Sequence, residues 1–129
     1  MQRPALAALL ALFVVTASGG VEAQVQRVFP QNALRGALVI GDPPEATLNG
    51  DPARLAPGVR IRGATNMLVM SGALSGSRLL VNYTLDTSGL VKDVWILTPD
   101  EAARRPWPTT QKQADEWLFD PVAQTWTRP

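Results

Sequence analysis

The chain is expected to form a mainly β domain: a small open barrel or rolled antiparallel sheet, with short C-terminal helices covering one face. Three observations lead there. Turn signals recur about every 8 to 12 residues, the segments between them are short and alternate apolar with polar side chains, and helix-start signals appear only from Thr98 onward. No internal repeat is visible, which argues against a propeller or solenoid.

The elements follow in order. Residues 24–32 are polar and read as a flexible lead-in. Ala33 to Ile40 is apolar enough for a first strand, and Asp42-Pro43-Pro44 stops it because proline donates no ladder hydrogen bond. Asn49-Gly50 is a strong hairpin signal, and Pro57-Gly58 predicts a second turn. Val59 and Ile61 alternate with Arg60 and Arg62, so the two arginines share one strand face. Met67 to Leu74 reads as a strand interrupted by a glycine, hence bulged.

The clearest element is a hairpin from Leu79 to Leu97. Leu79, Val81, Tyr83 and Leu85 take one face, with Asn82 and Thr84 on the other; Asp86-Thr87-Ser88-Gly89 has the chemistry of a type I turn with a glycine bulge. The return strand is apolar on both faces near its end and therefore needs cover. Thr98-Pro99-Asp100-Glu101 predicts a helix start with a threonine cap, proline at the first position and glutamate three residues on. Thr110 with Gln113 predicts a second cap. Trp107, Trp117, Phe119 and Trp126 are large enough to close the exposed sheet face by core packing.

Residues 1–23 have the three-part order of a cleavable secretory signal: basic Arg3, the apolar run Ala5 to Val15, then small residues ending in Val21 and Ala23, with cleavage expected between Ala23 and Gln24. The apolar run is about half the length of a membrane span. The expected product is a single soluble β-rich domain over residues 33–129, periplasmic or secreted, with no stable membrane anchor after cleavage.

The 129 residues contain no cysteine and no histidine, which removes serine–histidine and cysteine–histidine nucleophile systems and the usual zinc ligands. No metal site or cofactor is expected. The charge is uneven. Residues 24–80 carry six arginines against Asp42, Glu45 and Asp51, whereas the remainder is acidic. That density falls short of a nucleic-acid binder. Arg54, Arg60, Arg62 and Arg78 are the candidate binding residues, since guanidinium forks suit carboxylates and phosphates, and an envelope protein or an anionic cell-envelope component is the expected partner. The same arginines also suit a plain solvated strand face. Asp86, Asp93, Asp100 and Glu101 are the acids nearest the hairpin; a carboxylate-dependent hydrolase of envelope polymers needs two of them to converge, but turn and helix-start chemistry already accounts for Asp86, Asp100 and Glu101.

Across its length after residue 23, including ALRG, RIRG, VNYTLD and VWILTP, the chain resembles small exported bacterial proteins of uncharacterised function, which implies an envelope location and no particular activity. Residues 79–121 also resemble the C-terminal domains of TonB-type proteins: the hairpin VNYTLDTSGLVKDVWIL is followed by helix signals and by Trp117-Leu118-Phe119-Asp120-Pro121, which matches a W-x-F-x-P element. That resemblance implies peptide binding by strand addition. The leading expectation is a non-enzymatic binding or scaffolding domain acting through a sheet face or edge.

Overall fold

The computed structural model describes residues 26–129; the expected signal segment and its Ala23–Gln24 junction lie outside the described residues. Five strands form a closed barrel: β1 (Leu34–Ile40), β2 (Glu45–Leu48), β3 (Asp51–Arg62), β4 (Arg78–Leu85) and β5 (Val91–Ile96), in the order β1-β2-β3-β5-β4 with β4 returning to β1. The molecule is therefore mainly β, as expected, and the barrel is closed rather than open. Its five strands in Greek-key order are the arrangement of an OB-type barrel.

Closure depends on β3 changing partner. Its first residues run antiparallel to β2, with Arg54 opposite Glu45, and from Leu55 onward it runs parallel to β5, with Leu55 opposite Val91 and Ile61 opposite Val94. The register shifts between Leu55 and Arg60. Pro57 and Gly58 sit in that shift, so the turn expected there is instead a bulge within one long strand, where a proline without an N–H is tolerated. The β3–β5 seam is parallel, unlike the wholly antiparallel sheet expected.

Both turns that depend on local chemistry form as expected. Asn49 and Gly50 take φ of 54° and 87°, a two-residue hairpin turn between β2 and β3. Between β4 and β5, Asp86 Oδ1 accepts from the amides of Ser88 and Leu90, and Gly89 sits at φ 83°. The expected strand from Met67 to Leu74 does not form. Met67 to Val69 pair back onto Ile61 to Gly63 through two backbone hydrogen bonds of 2.8 Å, and Ser71–Leu74 is a 3-10 turn. β3 already holds the ring position beside β5, so this segment remains outside the barrel with Met67, Leu68 and Met70 exposed.

The core contains Leu38, Ile40, Leu55, Ile61, Val81, Val91 and Val94, all but excluded from solvent. The C-terminal segment adds α1 (Pro99–Ala102), α2 (Gln111–Glu116), and a two-stranded ribbon of β6 (Leu118–Asp120) and β7 (Thr125–Thr127). Thr98 and Glu101 form the expected capping box, and Thr110 Oγ1 accepts from the Gln113 amide. Trp107 and Trp126 are buried and Trp117 and Phe119 partly so, packed on the core as expected.

Within the segment expected as a lead-in over residues 24–32, Arg27 and Phe29 are buried and the other described residues are exposed. Phe29 is 1% exposed, meets Trp95 and Trp107 edge-on at 5.6 and 5.7 Å, and donates its amide to Gln124 Oε1. Burial of the Phe29 ring and the bonds of the buried Arg27 side chain both act against the entropy cost of ordering this segment.

Candidate functional site

The four arginines singled out from the sequence do not form one cluster. Arg60 and Arg62 lie two residues apart on β3, and both relate to Asp93 of β5: Arg60 as its register partner, Arg62 through an ion pair of 3.7 Å. Arg62 also lies 5.7 Å from the ring centroid of Trp95. Arg78, at the start of β4, stands opposite Val39 of β1. Arg54 sits where β3 leaves β2, paired with Glu45 at 3.0 Å, and both side chains are more than half exposed.

Arg60 lines a polar concavity with Gly58, Lys92 and Asp93, and Arg54 differs from the other three in the apolar character of its surroundings. It lines a concavity of about 450 Å³ whose walls are Pro43 and Pro44 from the β1–β2 connection, Leu55 to Pro57 and Val59 from the β3 bulge, and Leu90 from the β4–β5 turn. The bulge makes this hollow, because a strand switching from one partner to another leaves its outer side uncovered at the switch. Its lining holds one charge, no aromatic ring and mostly apolar surface. An exposed ion pair contributes about 0–1 kcal/mol, so the Arg54 guanidinium can exchange Glu45 for another carboxylate at little cost.

A buried polar cluster escaped sequence reasoning. Arg27 pairs with Glu101, donating from both Nε and Nη2, and also donates to the carbonyls of Gly63 at 2.8 Å and Ile96 at 2.7 Å. One guanidinium thus ties the N-terminal segment to the ends of β3 and β5 and to α1. Burial pushes the Glu101 carboxyl up, but hydrogen bonds from Arg27 and Thr98 and the Arg27 charge outweigh it, so the carboxyl is held below its ordinary value. Arg35 donates to Asn82 and to the carbonyls of Glu101 and Arg104, and lies 4.9 Å from the ring centroid of Trp107. Burial pushes its guanidinium down to about 10, partly opposed by Glu101, with Arg104 and Arg105 adding to the fall. Burial alone raises the Tyr83 phenol. The Thr98–Glu101 spacing marked the capping role of Glu101; nothing in the sequence marked its second partner.

Asp86, Asp93, Asp115 and Asp120 have local partners, and Asp100 stands in the first turn of α1. Asp86 organises its turn, Asp120 accepts from the amides of Val122 and Ala123, Asp93 accepts from Thr84, and Asp115 accepts from Gln111. Among the described residues no three acids gather as a metal site. No helix of the described residues is long and apolar enough to cross a membrane. No family model, curated protein or solved structure matches this chain.

Proposed function

We propose that the protein is a non-enzymatic binding domain of the cell envelope, and that the hollow beside Arg54 holds a partner's peptide segment in which an apolar side chain neighbours an acid. The observation that carries this reading is the juxtaposition of an exchangeable guanidinium with walls of proline, leucine, alanine and valine. An apolar side chain fills the walls, and the carboxylate displaces Glu45 from Arg54. A glycan or single-stranded nucleic acid is a poorer fit, because the lining offers no aromatic platform for stacking. Position supports the place of binding, not the ligand class, by analogy of fold alone: OB-type barrels bind oligonucleotides and oligosaccharides on the strand 2–3 face between the loops joining strands 1–2 and 4–5. Pro43, Pro44 and Leu90 belong to those two loops. An envelope location rests on the signal-like order of residues 1–23.

The test is an amide-resonance titration of the chain with two pools of short peptides, one pairing leucine with aspartate and one pairing leucine with lysine. Saturable shifts at Leu55 to Val59 and at Leu90 are expected with the acidic pool only. Arg54→Glu is expected to weaken binding at least about tenfold, the equivalent of one lost charge-assisted hydrogen bond, while Arg78→Glu leaves it unchanged. Equal shifts from both pools, or from neither, overturn the reading.

A further inference from the structure

Strands β3 and β5 lose register with one another at one level of the barrel. Leu55 stands opposite Val91 and Arg60 opposite Asp93, so Ala56 to Val59 of β3 and Lys92 of β5 lie between successive partners. Lys92 has no partner on β4 either, where Thr84 pairs with Asp93 and Leu85 with Val91. It is bulged from both of its neighbours. A bulge leaves its extra residue unpaired and re-aims the side chains beside it. At this place the barrel wall carries the concavity lined by Gly58, Arg60, Lys92 and Asp93, about 320 Å³ in volume. A Cβ added at Gly58 would meet no atom within 4 Å, so the backbone there is open to close approach.

The charges around this concavity do not cancel. Arg60, Arg62 and Lys92 share one acid, Asp93, and that acid is already engaged. Arg62 pairs with it at 3.7 Å, and Thr84 Oγ1 donates to it at 3.2 Å. Arg60 and Lys92 form no ion pair among the described residues, and both are exposed. They are also close. Arg60 faces Asp93 across adjacent strands and Lys92 precedes Asp93 on β5, so their Cα atoms lie within about 9 Å of each other. Two side chains of this length and freedom reach one shared group from that distance.

We infer that this concavity binds a phosphoryl group, with the Arg60 guanidinium donating to two of its oxygens and the Lys92 ammonium to a third. A guanidinium fork matches a pair of phosphate oxygens, and an ammonium acts beside it as a compact point charge. A doubly charged oxyanion answers both unpaired cations, whereas a monocarboxylate answers one. Asp93, the one acid of the lining, has its charge offset by Arg62. The size fits as well. A water occupies about 30 Å³ of liquid, so the concavity takes a phosphoryl group together with the first atoms of whatever carries it. This site shares no lining residue with the hollow beside Arg54 and takes a ligand of different chemistry.

Amide resonances of the full chain read this out at about pH 8, where a phosphoryl group carries close to two charges. Titration at fixed ionic strength with inorganic phosphate, and separately with glycerol 3-phosphate, is expected to shift Gly58, Arg60, Lys92 and Asp93 saturably. Sodium acetate is expected to bind at least about tenfold more weakly. Inorganic phosphate binding as tightly as the ester, or more so, assigns the site to the free ion; glycerol 3-phosphate binding more tightly assigns it to a phosphate ester. Either outcome supports a phosphoryl site. Arg60→Gln and Lys92→Gln are each expected to weaken binding about tenfold, the equivalent of one charge-assisted hydrogen bond, while Arg78→Gln leaves it unchanged. Both positions are exposed, so the variants keep the wild-type fold, seen as unshifted resonances elsewhere. The proposal fails if no resonance saturates, if acetate matches phosphate, if the shifts centre on Arg54 and Leu90 instead, or if either variant binds like wild type.

Discussion

Arg27 and Glu101 show how much one pair of side chains decides. Both are almost fully buried, and Arg27 reaches three separated backbone or side-chain acceptors at once. Removing one member of a buried pair leaves the other charged and unpaired, so Arg27→Ala is expected to cost about 3–5 kcal/mol in urea unfolding. The pH dependence has a fixed sign. Folding holds the Glu101 carboxyl below its ordinary value, so its contribution is complete above the unfolded value of about 4.3 and disappears as pH falls through the folded value. Wild type is expected to lose stability on acidification below about pH 4 more steeply than Glu101→Gln; parallel acid limbs in the two unfolding series would sink this. In the sequence, Arg27 sits in a polar stretch and reads as solvated.

Elements whose geometry is set within a few residues were legible, and those set by distant partners were not. The β4–β5 hairpin needs only alternation on its strands and the Asp86 to Gly89 turn. Gly89 has φ 83° and open space around the place of a side chain, so Gly89→Ala carries a backbone cost alone. It is expected to lower stability by about 1–2 kcal/mol, seen as a shifted urea midpoint at constant slope; a loss of several kcal/mol would mean that the turn packs against something. Met67 to Leu74 has the composition of a strand yet makes only a short pairing with the end of β3. No local property of MLVM reveals that β5 already occupies the ring position beside β3. Pro57-Gly58 failed likewise: the dipeptide suits a turn or a bulge, and the choice follows from β3 having two partners. Of the candidate site, Arg54 was legible as a charged strand residue. The proline and leucine walls around it come together only once the barrel closes.

At the scale of the whole molecule, the two ends of the described chain meet in one aromatic cluster. Phe29 contacts Trp95 and Trp107, and Trp107 contacts Phe119 and Trp126. Phe29→Ala is expected to cost about 3–5 kcal/mol in thermal or urea unfolding, whereas a change under about 1 kcal/mol is what a frayed, solvated lead-in gives. Barrel closure itself was hidden from the sequence because its last seam joins β3 to β5 in parallel, and a parallel pair needs a long crossover that leaves no turn signature. The Phe29 amide bond to Gln124 spans 95 positions, and the Arg27 pair with Glu101 spans 74. This has a consequence for synthesis. The first described residues to leave a ribosome must wait for nearly the last before their bonds can close, so the segment around Phe29 docks only when the chain is almost complete, after all five barrel strands have been made.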